Sequence, residues 1–220
     1  MRLALTGLLF AGVLFDGAPS GEGARRKGAP VDARSQRSVQ LTTYMVSCAL
    51  GEGESLTLPV ADETRSFEGR FGLAKTWWSG HVSLEDQRWM TACLLARTNL
   101  FGRKVLVSLR GAHPNLRTGA GTPEPRSIEE GAFYGNLFAE AERAYACLGA
   151  REPANSPELA SRVCAEQEGS SSRTRCGFVY AGRCSDVCEL DPSGSFHRRC
   201  SGGGRLYDEV ITVHLPRASE

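Results

Sequence analysis

Apolar positions along the chain alternate in several short stretches and recur with helical spacing in one longer one. Residues 55–60 place Leu56, Leu58 and Val60 on one side, the pattern of a half-buried strand. Residues 67–78 set Gly69 and Gly72 among aromatic residues and predict a second strand with a bend or bulge. In residues 104–110, Val105, Val107 and Leu109 alternate with Lys104, Ser108 and Arg110. Residues 207–215 predict a last strand with Ile211, Val213 and Leu215 on one face. The clearest helix spans about 83–98. Ser83 stands at its N-cap with Asp86 three residues on, and Trp89, Met90, Cys93, Leu94 and Ala96 follow. Its second half is apolar almost all round, so it should be buried, with Cys93 one turn beyond Trp89.

Two segments fit either period. Residues 44–50 (YMVSCAL) are too short to separate helix from strand. In residues 132–148, Tyr134, Leu137, Phe138, Ala141, Tyr145 and Leu148 keep helical spacing, with Gly149 as a C-cap. Tyr145 and Cys147 also alternate with small alanines, as in a strand.

The first 20 residues read as a secretory signal peptide. Arg2 supplies the charge and residues 3–15 the apolar stretch, which falls short of the ~20 residues that span a bilayer. Small residues place cleavage between Ser20 and Gly23. The expected location is secreted or periplasmic, with no membrane span once the signal is removed. Residues 21–39 lack apolar periodicity and form a flexible basic linker. One domain is expected over 40–216, with a Gly/Pro-rich loop at 111–127 and a Cys-rich section at 151–205.

Lys and Arg number 26 against 25 Asp and Glu, a formal charge of +1, which argues against a nucleic-acid partner. The 8 cysteines are Cys48, Cys93, Cys147, Cys164, Cys176, Cys184, Cys188 and Cys200. An even set in an exported chain implies intramolecular disulfides, with no structural metal. Cys48 and Cys93 are the expected pair, because both lie in the apolar N-terminal half, far from the cluster beyond residue 160. The rival reading is zinc on Cys176, Cys184, Cys188, His197 and Cys200, a looser spacing than paired zinc knuckles.

No G-x-S-x-G, H-E-x-x-H, EF-hand or phosphate-loop motif is present, and no cofactor is implied. The best recognition candidate is the pair Trp77-Trp78. On a strand, neighbours face opposite sides, so one indole can enter the core while the other meets a glycan or a cell-envelope component. His113, in the long loop, is the candidate for an exported hydrolase with an unrecognised active site.

Residues 44–50 (YMVSCAL), 71–74 (FGLA), 89–99 (WMTACLLARTN), 131–138 (GAFYGNLF) and 145–147 (YAC) together resemble an uncharacterised family of exported, cysteine-rich bacterial proteins typical of predatory soil bacteria. The resemblance covers residues 41–149 well and the remainder loosely. It implies a compact domain, with 145–147 as strand, and no established activity or catalytic residue.

The expected fold is α+β: a mainly antiparallel sheet, one buried helix at 83–98 and a disulfide-stapled C-terminal section, with an all-β sandwich as the alternative. The expected function is non-catalytic binding or surface interaction.

Overall fold

A computed structural model describes residues 33–60, 63–77, 80, 82–97, 106–119, 127–139, 143–149 and 178–216. The signal peptide, the linker up to residue 32, Trp78, Cys164 and Cys176 lie outside the described residues. The chain is α+β. Helices α1 (Ala33–Ala49) and α2 (Leu84–Arg97) flank a hairpin of β1 (Ser55–Val60) and β2 (Glu63–Glu68). Then come β3 (Ser108–Arg110), a 3-10 turn (Pro114–Gly119), β4 (Ser127–Gly135), β5 (Ala144–Leu148) and β6 (Phe178–Arg183). A one-turn helix α3 (Cys184–Val187) leads into β7 (Glu189–Leu190), β8 (His197–Arg198), β9 (Cys200–Gly202), β10 (Arg205–Tyr207) and β11 (Ile211–Pro216).

The central sheet has five strands in the order β3-β11-β4-β5-β6. Every pairing in it is antiparallel except β5 with β6. Strand side chains alternate between faces, and here both faces are covered. Ile211, Val213, Phe133, Ala144 and Ala146 pack with α1 and α2 on one side. Ala132, Tyr134, Tyr145 and Cys147 pack with Cys184, Cys200, Tyr207 and Val210 on the other. Residues 184–210 are therefore a third layer, held to the sheet by the Cys147–Cys184 disulfide and braced internally by Cys188–Cys200.

Helix α2 begins as its sequence predicts: the Asp86 amide donates to Ser83 Oγ at 3.0 Å. Every residue from 89 to 96 is buried. Asn136 Nδ2 donates to Gln87 Oε1 at 3.1 Å and the Leu137 amide donates to Thr91 Oγ1 at 2.9 Å, which fixes α2 on the end of β4. The expected Cys48–Cys93 disulfide joins α1 to α2.

Four expectations need correction. Helix α1 starts at Ala33, so residues 33–39 are helical rather than linker. Among its described side chains, from residue 38 on, the buried positions begin at Val46, so this anchoring lies at the far end. The second strand is Glu63–Glu68, earlier than the segment at 67–78. That segment instead satisfies the carbonyls that a helix leaves open at its C-terminus. Amides of Phe71, Leu73, Ala74 and Arg70 donate to Ser47, Cys48, Ala49 and Leu50 oxygens at 3.0, 3.0, 3.2 and 2.7 Å. Gly72 is needed there: its φ is +59°, and a Cβ would come within 2.7 Å of Asn115 Nδ2. Of the strand predicted at 104–110, residues 106 and 107 are not strand and Ser108–Arg110 form β3, while residues 104 and 105 lie outside the described residues. The helical alternative for 132–148 is replaced by β4 and β5.

No helix among the described residues is long and apolar enough to cross a membrane. The three disulfides seen here suit a protein stabilised for an extracellular setting.

Candidate functional site

Helical spacing builds one site around the Cys48–Cys93 bridge. Tyr44 lies one turn before Cys48 on α1, and Arg97 one turn after Cys93 on α2, so each shares a helix stripe with its cysteine. The disulfide brings the two stripes together, and the Arg97 guanidinium sits 4.9 Å from the Tyr44 ring centroid. The capping segment adds Phe71, whose ring lies 5.3 Å from Arg97 and 5.4 Å from the Arg70 guanidinium. Arg97 Nη1 also approaches Cys48 Sγ at 3.8 Å. Burial depresses the Arg97 pKa; Tyr44 opposes that and Arg70 reinforces it. Among the described residues neither arginine forms an ion pair. Two guanidiniums thus share one phenyl ring without a counter-charge among the described residues.

Of the residues singled out from sequence, Trp77 lies in a helical turn after the capping segment, its amide donating to Ala74 O at 3.0 Å. It is half-buried and packs against the helix-side core. Trp77 is not on a strand, so the alternating-face argument for Trp77-Trp78 loses its basis. His113 is half-buried beside α2, edge-on to Trp89 with ring centroids 5.2 Å apart. Its Nδ1 accepts the Asn115 amide at 3.2 Å. Asn115 Nδ2 in turn donates to Phe71 O and Gly72 O at 2.9 and 3.0 Å, tying this loop to the segment that carries the arginine site. Burial lowers the His113 pKa, with Glu85 and Asp86 opposing and Lys75 reinforcing the shift.

A second polar cluster lies beneath the Cys-rich layer. Thr212 and His214 alternate with Ile211 and Val213 and therefore face that layer. The His197 amide donates to Thr212 Oγ1 at 2.8 Å, and His197 Nε2 meets Glu129 Oε1 at 2.8 Å. Glu129 stands opposite His214 in the β4–β11 register. One oxygen of Glu129, one ring nitrogen of His197 and Cys184 Sγ lie within 4.8 Å of one another, as do the sulfurs of Cys147, Cys184 and Cys188. Cys184, Cys188 and Cys200 of the zinc alternative are all disulfide-bonded, so they offer no thiolates, and His197 is engaged by Glu129. In the sequence Glu129 and Glu130 read as a solvated acidic pair, and the link from Glu129 to His197 leaves no mark there because 68 residues separate the two.

This cluster sets a pH dependence. Burial raises the Glu129 pKa, but the hydrogen bond with His197 and the charges of His197 and His214 outweigh it, and the net value is below the ordinary 4.5. His214 is lowered from 6.5 by burial and by Arg110, with Glu129 opposing. A depressed histidine binds fewer protons folded than unfolded, so its contribution is complete above pH 6.5 and declines as pH falls through the folded value. Glu129 stabilises above 4.5 and loses that contribution on further acidification. Urea midpoints should accordingly be level above pH 6.5 and fall in two stages below it. Each group contributes at most ~1.4 kcal/mol per pH unit. His214→Gln should shrink the upper stage and leave the part carried by His113, which burial lowers in the same way; an unchanged profile would refute the assignment.

Comparison with known proteins gives no match among family models, curated proteins or solved structures. Residues 44–50, 71–74 and 89–97 meet around the Cys48–Cys93 bridge, and 131–138 and 145–147 form the end of β4 with its exit and the core of β5.

Proposed function

We propose that this chain is an exported bacterial binding protein without catalytic activity of its own, and that it recognises an acidic polysaccharide of a cell envelope through Arg70 and Arg97. The observation that carries this reading is the pair of guanidiniums on Phe71, with no ion-pair partner among the described residues. Aromatic rings take the faces of Arg97, and a guanidinium binds carboxylate or sulfate with its edge. A half-desolvated cation beside a second cation is unfavourable alone, and a bound anion relieves both the repulsion and the lost hydration. Tyr44 and Phe71 add apolar faces suited to sugar rings. A secreted or periplasmic location and the resemblance to exported Cys-rich proteins belong to the same proposal. The hydrolase reading at His113 has less support, because the imidazole packs on Trp89 and its Nδ1 is taken by the Asn115 amide.

Titration with a polyuronate and with a neutral glucan tests the proposal. The wild type should bind the polyuronate preferentially and more weakly as salt rises. Arg97→Met and Arg70→Gln should each weaken binding by about tenfold, the scale of one charge-assisted hydrogen bond. Their thermal midpoints should stay near that of the wild type. Equal binding of both polymers, or variants that bind as the wild type does, would refute it.

A further inference from the structure

The sulfurs beneath the C-terminal layer are arranged for exchange. Cys184 opens α3 and Cys188 is the extended residue that ends it, and both sulfurs lie within 4.8 Å of Cys147 Sγ on β5. Cys147 Sγ is bonded to Cys184 and lies only 3.7 Å from Cys188 Sγ, itself bonded to Cys200. Exposure differs sharply along this chain of sulfurs. Cys147, Cys184 and Cys200 are 1%, 0% and 0% exposed, whereas Cys188 is half-buried. An external thiol therefore meets the cluster at Cys188. At the far end, Cys184 lies against His197, whose imidazole is held by Glu129.

We propose that these two disulfides form a relay, in which reduction of Cys188–Cys200 by an external thiol is passed inward to free the buried Cys184 thiol beside His197. The external thiolate attacks Cys188 Sγ and expels Cys200. A second external thiol attacks the outer sulfur of that mixed disulfide, so a small-molecule disulfide leaves and Cys188 is released as a thiolate. Cys188 then attacks Cys147 Sγ; the Cys147–Cys188 bond forms, the Cys147–Cys184 bond breaks, and Cys184 leaves with the electron pair. Two external thiols are oxidised to one disulfide, and their protons end on Cys200 and on Cys184 or the imidazole beside it. The last step is redox-neutral, an isomerisation between two pairings of Cys147. Its product sets a thiol next to a histidine oriented by a carboxylate, the surroundings that make a cysteine nucleophilic.

The test uses the intact oxidised protein. After brief treatment with glutathione, acid quenching and alkylation, disulfide-linked peptides are mapped. The singly reduced protein should contain Cys147 linked to Cys188, with Cys184 and Cys200 alkylated. Retention of Cys147–Cys184, with Cys188 and Cys200 alkylated, would overturn the relay. Cys200→Ser provides a second measurement, since it leaves Cys188 unpaired from the outset. The folded variant should show Cys147–Cys188 and an alkylatable Cys184; Cys147–Cys184 alone would overturn the proposal. Should this variant fail to fold, the glutathione mapping of the wild type decides the question by itself.

Discussion

Replacing Cys48 and Cys93 together by alanine is expected to lower the unfolding free energy by about 4 kcal/mol, the chain-entropy value for a cross-link of this span. The bridge closes 45 residues, which include the β1–β2 hairpin and the capping segment, so the unfolded chain gains much freedom without it. Both sulfurs are fully buried in the helix-side core, and their loss also leaves unfilled volume there. The comparison that isolates the loop effect is Cys188–Cys200, which closes 12 residues and should contribute about 3 kcal/mol on the same basis. Urea unfolding of both double variants measures the two values. A loss below about 1 kcal/mol at Cys48–Cys93 would show that α1 is held by its cap and apolar contacts alone. Polyuronate binding should fail in the same variant even where it remains folded, because the bridge aligns Tyr44 with Arg97.

The elements legible in the sequence are those with one clear period and a local punctuation mark. Strand β1 alternates, β11 shows Ile211, Val213 and Leu215 on the core side, and Ser83 caps α2 as its hydroxyl predicts. The capping role of 70–74 is not legible in the sequence, because the segment satisfies α1 through backbone amides, and a backbone hydrogen bond leaves no mark on side-chain pattern. Residues 132–148 were ambiguous for a different reason. The last six residues of β4 are all buried, since both faces of the sheet are covered, and a strand buried on both faces loses its alternation. The arginine site was written in two spacings, Tyr44-x-x-x-Cys48 and Cys93-x-x-x-Arg97. Cys48–Cys93 and the α2 half could be inferred, but the site becomes readable only once residues 44–50 are known to be helical. The Glu129–His197 pair had no such signal, because strand pairing and the folding-back of the C-terminal layer alone bring it together.

The two faces of the sheet depend on different physics. The helix side is a conventional apolar core with one cross-link. The Cys-rich side has short strands and few aliphatic residues, and three tyrosines fill the gap that the disulfides leave. Tyr134 stacks on Tyr145 at 5.5 Å, and Tyr207 lies tilted at 5.7 and 5.9 Å from the two rings. The β9–β10 hairpin closes over them through Gly203 and Gly204, both at positive φ, as a two-residue hairpin turn of the primed type requires. Gly202 lies flat on the Tyr145 ring, where a Cβ would sit 2.8 Å from Cδ2.

Tyr134→Ala is therefore expected to cost about 4 kcal/mol, the range for removing a large buried aromatic side chain. Tyr134 is 0% exposed and touches both partner rings, so truncation opens a void that neither the disulfide-fixed layer nor the paired sheet can close. Its hydroxyl donates to Ser201 O at 2.8 Å, across to the hairpin itself. Tyr134→Phe keeps the rings and removes only that bond, leaving a carbonyl without its donor, and should cost about 1–2 kcal/mol. Burial holds the phenol well above its ordinary pKa of 10, with Tyr145 and Tyr207 acting in the same direction, so the wild-type bond persists through mildly alkaline conditions. The two variants, followed by urea unfolding, separate ring packing from the hydrogen bond. Equal losses would place the stabilisation in the hydroxyl. A small loss for Tyr134→Ala would mean that the disulfides alone seat the C-terminal layer on the sheet.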